Sequence, residues 1–292
     1  MVNSRFLNNM NSQPELLKQP KTEIIELINE FLNSRFVDSS SINSRKAYQA
    51  DLRLLINYFN KLSEITELKL RDLKLFLLDN YAANTAARKW SAWREFLRYC
   101  QLIGKIQYNP IFELSIDINI TDRKLKNKIS HTVLKSICDS AETLRDRALL
   151  WFIYSTGIRV SEMEKFAVFS NLNLAAKEFY IENRITFLCE RAFNLLNEYL
   201  QERKEKIPFG LSEYIFINEM GYCLKDYYIY NLFYRISEKF GIHASVGDLR
   251  DSLTLRLYEF GASPEELKYI LGFKSFKSIE PILRLQLNYE KT

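Results

Sequence analysis

Apolar side chains recur every three to four residues along most of this 292-residue chain, the spacing that lines one face of a helix. Ile24, Ile25, Ile28 and Phe31 mark a first helix from Thr22, and the polar run Asp38-Ser39-Ser40-Ser41 ends it and offers caps for the next. Tyr48, Leu52, Leu55, Ile56 and Phe59 form a second stripe. A third helix is predicted from Leu68 to Tyr81 and a fourth from Ala83 to Cys100. The fourth carries Trp90, Trp93, Leu97 and Cys100 on one face and Arg88, Arg94 and Arg98 elsewhere, the arrangement of a core-facing helix. Past Asn109-Pro110 the periodicity fades, and Thr121 to Lys128 is a short basic stretch without an apolar stripe.

Helical patterning resumes at Thr132 and includes Ala148-Leu149-Leu150-Trp151-Phe152-Ile153, apolar enough for a buried helix. Glu178 to Glu182 and Ile185 to Leu188, rich in β-branched and aromatic residues, predict the two strands of a hairpin, and Tyr214 to Asn218 a third short strand. From Asp226 to about Leu287 the chain reads as helices. One has a defined start, with Ser263 as N-cap, Pro264 at the first position and Glu266 completing a capping box. The expected fold is mainly α with a small antiparallel β-sheet. Its divisions are a loose tail over 1–21, a helical domain over 22–115, a basic linker over 116–128 and a mixed domain over 129–292.

Composition narrows this little. Only 8 glycines and 6 prolines favour long uninterrupted elements over a loop-rich protein. A net charge of +5 permits a polyanionic partner without requiring one. Cys100, Cys138, Cys189 and Cys223 are widely spaced and only His131 and His243 accompany them, which argues against a zinc site and for free thiols in a reducing cytoplasm. The polar N-terminus lacks the apolar stretch of a secretory signal, and no run of about 18 apolar residues predicts a membrane span. No cofactor is implied.

Specific chemistry enters at Thr156-Gly157-Ile158-Arg159-Val160-Ser161-Glu162, which follows the apolar helix and Arg145-Asp146-Arg147-Ala148-Leu149-Leu150. This layout resembles the catalytic domain of tyrosine recombinases, the phage integrase family, and its Xer-like members. Ser44-Arg45-Lys46-Ala47-Tyr48-Gln49-Ala50-Asp51-Leu52, Lys89-Trp90-Ser91-Ala92-Trp93-Arg94-Glu95-Phe96 and the closing Asn109-Pro110 resemble the family's helical core-binding domain. The resemblance implies a two-domain protein that handles duplex DNA.

In that family a tyrosine attacks a phosphodiester. Two arginines clamp the phosphate, a hairpin lysine acts as acid, and two further positions assist, because charge builds on the phosphate and on the leaving oxygen. The resemblance places Arg159 and Arg250 as the arginines. Arg184 takes the hairpin's arginine position, but the hairpin has lost its lysine, and Lys177 before it is a surface charge. The second arginine's segment reads Gly247-Asp248-Leu249-Arg250-Asp251-Ser252, with Gly247 where a histidine belongs. His243 lies four residues too early to substitute without rearrangement. Leu271-Gly272-Phe273 carries a phenyl group at another histidine position, with Lys274 expected to point elsewhere. The tyrosine position falls on Ile282. Tyr289, about two helical turns further on, is the one downstream tyrosine.

Two clamping arginines are thus kept while acid, helpers and nucleophile are replaced. The leading expectation is a DNA-binding member of the family that grips duplex DNA between its domains without cutting it. The resemblance makes Arg45, Lys46, Arg88, Lys89 and Arg94, and Arg123, Lys124, Lys126 and Lys128 of the linker, candidates for contacts to DNA. Two alternatives stand beside it. One is an active recombinase using Tyr289, and the other is an interaction module that no longer binds DNA. The tail after Pro281 is a candidate link to a second copy or a recombinase partner, as family members donate a C-terminal helix to a neighbour.

Overall fold

In the computed structural model the residues described are 22–34, 42–59, 61–114, 129–206 and 212–287. The chain divides into two compact units, Met1–Lys124 and Leu125–Thr292.

The first unit contains α1 (Thr22–Asn33), α2 (Ile42–Tyr58), α3 (Glu67–Asn80) and α4 (Ala83–Leu102). Its core joins Ile24, Ile28 and Phe31 of α1 to Leu52 and Leu55 of α2, Leu70 and Leu77 of α3, and Trp93, Phe96 and Leu97 of α4. The tryptophans are buried with their one polar atom satisfied, as burial of an indole requires. Trp93 Nε1 donates to the Asp51 carbonyl at 3.0 Å and Trp90 Nε1 to that of Leu114 at 3.0 Å.

Three of the candidate DNA-contact cations make contacts within this unit. Lys89 is buried, with Nζ 3.3 Å from the Asp51 carboxylate and 4.9 Å from the Tyr81 ring centre, while Arg88 pairs with the same carboxylate. A buried lysine needs such a counter-ion, so Lys89 is a core cation and not a surface one. Arg45 closes α1, donating from Nε and Nη2 to the Leu32 carbonyl at 2.8 and 2.5 Å and to Asn33 Oδ1 at 2.7 Å. Carbonyls in a helix's last turn lack intrahelical donors, which explains that role. Lys46 and Arg94 are exposed.

The second unit is built on α5 (His131–Asp139), α6 (Leu144–Thr156), α7 (Val160–Phe166), the strands β1 (Leu172–Asn173), β2 (Glu178–Ile181) and β3 (Arg184–Phe187), then α8 (Glu190–Lys206), α9 (Asp226–Lys239), α10 (Val246–Glu259), α11 (Pro264–Leu271) and α12 (Glu280–Leu287). The central helix α6 is buried almost all round and packs against α8 and α10, as its unbroken apolar run demands. Thr143 caps its start, accepting from the Asp146 main chain at 3.1 Å. The sheet is antiparallel in the order β1-β2-β3, with Ile181 paired to Arg184 across a two-residue turn.

The third strand is Leu172–Asn173 and not the expected Tyr214 to Asn218. Tyr214 and Ile217 form only isolated bridges, to Val168 and Cys223. Val168 is followed at once by a 3₁₀ turn over Phe169–Asn171, so no ladder can extend beside Tyr214. The capping box at Ser263 and Glu266 forms as expected, with the Ser263 N–H donating to Glu266 Oε2 at 2.7 Å. No described helix is long and apolar enough to cross a membrane.

Candidate functional site

Gly157 ends α6 in the left-handed region, at φ 61°. A side chain there would be strained, and its Cβ would lie 2.6 Å from Leu271 Cδ2. The sharp turn makes Arg159 the N-cap of α7. Arg159 Nη1 donates to Glu162 Oε1 at 2.6 Å, its main-chain N–H to Glu162 Oε2 at 2.9 Å, and Nη2 to the Gly272 carbonyl at 2.6 Å. The hairpin brings Arg184 to the other side of the same carboxylate, with Nη2 2.6 Å from Oε2 and Nη1 3.3 Å from Oε1. One carboxylate thus clasps two guanidinium groups.

Arg250 arrives from α10. Its Nη1 donates to the Gly157 carbonyl and its Nη2 to that of Leu271, and its guanidinium carbon lies 4.6 Å from the Phe273 ring centre. Both ends of its fork are therefore occupied by main chain, and its face is stacked on a phenyl ring. Gly272 ends α11 at φ 62°, where Phe273 N–H returns to the Lys268 carbonyl at 3.0 Å and Gly272 N–H to that of Tyr269 at 3.2 Å. A Cβ on Gly272 would lie 2.2 Å from Arg184 Nη1, so glycine is needed both for the turn and for the arginine.

The electrostatics follow from this crowding. Burial, then repulsion from Arg159 and Arg184, pushes Arg250 down to about 9, against the pull of Glu162 and Asp251. Burial alone would raise the Glu162 carboxyl. Hydrogen bonds from Arg184 and the Arg159 main chain, with both guanidinium charges, instead hold it below the usual carboxylate value. Three arginines thus gather around the Glu162 carboxylate, with Asp251 beside Arg250.

Beside the cluster opens a cleft of about 600 Å³, lined by Arg159 and Arg184 together with Lys268, Tyr269, Phe273 and Lys274. Lys274 lines this cleft next to Phe273, whose ring lies on Arg250. The chain leaves helical geometry at Gly272, so residues 273 and 274 follow in irregular backbone. Sequence reasoning also passed over Glu162, although it stands at the third position of α7 where a capping carboxylate belongs, and over Lys268 and Tyr269 on the last turn of α11.

At the other positions the resemblance singles out, Gly247 lies in the first turn of α10, where an added Cβ would meet only Ser245 Oγ at an ordinary 3.5 Å. Ile282 is buried on α12, and His243 is exposed. The hairpin from Glu178 to Phe187 holds no lysine. Lys177 pairs with Glu190 at 2.6 Å. Arg123, Lys124, Lys126, Lys128 and Tyr289 lie outside the described residues. Among the described residues no group of three or more His, Cys, Asp or Glu side chains converges as a metal site.

Away from the cleft, His131 Nδ1 hydrogen-bonds the buried Tyr154 hydroxyl, which lies 3.3 Å from Ser252 Oγ. Burial, then the charges of Arg256 and Lys135, lower the imidazole to about 4. Between about pH 6.5 and 4 the unfolded chain takes up a proton that the folded one refuses. Stability is therefore expected to fall as pH drops through that window, and less so in His131→Leu, with melting temperatures at pH 7 and 4.5 as the check.

Fold and site together define a mainly helical, two-unit protein with an arginine cluster set at a helix start, a hairpin and a glycine turn. The sequence pattern of the phage integrase family matches residues 127–281, and that of the family's N-terminal SAM-like domain matches residues 28–101. The chain belongs to the phage integrase family. It is 26% identical over 269 residues to the tyrosine recombinase XerD of Listeria innocua, covering 85% of this chain and 90% of that protein. To the tyrosine recombinase XerC of Oceanobacillus iheyensis it is 25% identical over 256 residues, covering 80% and 83%. Its fold is similar to that of the Tn1549 transposon integrase in complex with transposon right end DNA, with a TM-score of 0.73 at 14% identity over 92% of this chain and all of that one. A lambda integrase dimer bound to a COC' core site gives a TM-score of 0.69 at 16% identity, over 89% and 94%.

Proposed function

We propose that this protein binds duplex DNA through a phosphate held at Arg159, beside the cleft, and does not break the strand. The observation that carries this reading is the cluster itself. Arg159, Arg184 and Arg250 are gathered with one carboxylate, while positions 247, 273 and 282 present no acid and no nucleophile. Phosphate binding needs only cations with free or exchangeable donors, whereas strand cleavage needs a group that forms a covalent bond. The DNA held by the Tn1549 and lambda integrases supports the choice of partner, and the lambda integrase dimer supports assembly of this chain with a second copy on DNA.

The roles of the arginines differ. Arg159, its side chain 36% exposed, makes the contact to phosphate. Arg250 is buried and engaged with main chain, so it positions the Gly157 and Gly272 turns. Fluorescence anisotropy with a labelled duplex, between about 50 and 200 mM salt, tests this. Arg159→Ala is expected to weaken binding about tenfold or more and to flatten the salt dependence by about one unit. Arg250→Ala is expected to lower the melting temperature instead. Absence of duplex binding at the lowest salt would remove the reading.

A further inference from the structure

The cleft beside Arg159 carries more aromatic surface than a phosphate contact requires. Glu265, Lys268, Tyr269 and Gly272 stand at spacings of three, four and seven along α11 and all line it, so one face of that helix forms a wall. Tyr269 is 58% exposed on this wall, and Phe276, 45% exposed, lines the cleft from the turn that follows. Phe273 contributes a third ring, held by its stack on Arg250. Lys268 Nζ sits 5.2 Å from the Phe276 ring centre, so cation and ring are presented together.

Charge decides between two uses of such a cleft. Its lining holds four cations, Arg159, Arg184, Lys268 and Lys274, against three carboxylates, Glu162, Glu182 and Glu265. The surplus of one suits a single phosphate, not the several that a duplex backbone presents to a groove. Its volume, about 600 Å³, falls within the range of about 300–1,000 Å³ that small ligands occupy. One phosphate beside exposed π faces is the chemistry of a nucleotide whose base is out of the helix stack.

We propose that this cleft is a subsite for an unpaired nucleotide of DNA, with its phosphate at Arg159 and Lys274 and its base against Tyr269 and Phe276. The inference rests on the reading that this unit binds DNA, and it goes further by naming a gapped or branched strand as the preferred form. Stacking on a ring is tolerant of sequence, so the subsite selects for lack of pairing rather than for a particular base.

The test compares the full chain's affinity for an intact duplex, the same duplex with a three-nucleotide gap, and the single strand, with 2-aminopurine in the gap to report stacking. Gapped DNA is expected to bind about tenfold tighter than intact duplex, with the 2-aminopurine signal quenched. Tyr269→Ala and Phe276→Ala, both at exposed positions, should bring gapped DNA to the intact-duplex affinity and leave the intact-duplex affinity within about twofold. Tyr269→Phe should keep the preference, because the ring remains. Equal affinity for gapped and intact DNA without quenching would overturn the subsite while leaving duplex binding standing. So would alanine variants that weaken both forms equally. Binding of gapped DNA alone would uphold the subsite and overturn the duplex reading, and binding of neither would overturn both. A deoxynucleoside monophosphate that displaced gapped DNA at micromolar concentration would identify a free nucleotide as the ligand and overturn the assignment to DNA.

Discussion

Glu162→Ala is expected to cost about 3–5 kcal/mol of unfolding free energy, measured by urea denaturation at pH 7. The magnitude comes from what the substitution leaves behind. Arg184 is 7% exposed, and its two Nη groups lie 2.6 and 3.3 Å from the Glu162 carboxylate. Without that carboxylate a guanidinium is buried opposite Arg250, which its neighbours already disfavour. Removing both partners is much less harmful than removing one, so Arg184→Met combined with Glu162→Ala should recover most of the loss. The same pair has a pH signature. The Glu162 carboxyl is held below its ordinary value, so its stabilisation is complete above the unfolded value of about 4.3 and disappears as pH falls through the lower folded value. A single-variant loss under about 1 kcal/mol would show that the clasp is not a stabilising centre.

The second large effect concerns chemistry. With a nicked duplex designed to trap a covalent intermediate, the protein is expected to give no protein–DNA adduct, and Tyr289→Phe is expected to change nothing. Where catalytic groups act as a unit, loss of the nucleophile alone removes activity on the order of a millionfold. In this chain position 282 holds a buried isoleucine, position 273 a phenyl ring stacked on Arg250, and the hairpin no lysine. An adduct formed by the unaltered protein and abolished by Tyr289→Phe would overturn the non-cleaving reading and establish a displaced nucleophile.

Much of the architecture was legible in the sequence because it is written in local periods. The stripes from Ile24 to Phe31 and from Trp90 to Cys100, and the apolar run at Ala148, each specify a helix and its buried face without reference to any distant residue. The Ser263 cap was readable for the same reason. The third strand was not. Tyr214 to Asn218 has strand composition, but a ladder needs an extended partner, and Val168 turns away after one pair.

The site divides along the same line. Arg159 and Arg250 stand out in the sequence because the motifs around them are contiguous. The partners of charged residues were hidden. Nothing local says that Lys89 answers Asp51 across 38 positions, that Arg45 closes α1, or that Arg159 reaches a carbonyl 113 residues away. The place of Lys274 at the cleft follows the left-handed Gly272, a turn that only the fold around Arg184 makes visible.

The space at Gly247 has a consequence for any redesign of this chain. An added Cβ in this helical turn would meet nothing nearer than Ser245 Oγ at 3.5 Å, so the backbone there accepts a side chain. Phe273 and Ile282 differ, because their side chains belong to the packing, one as the floor under Arg250 and one inside the fold. Substitution at these two positions would call for compensating changes in their neighbours. Position 247 is thus open to change and the other two are entrenched, an asymmetry that sets the order in which new groups could be introduced by design.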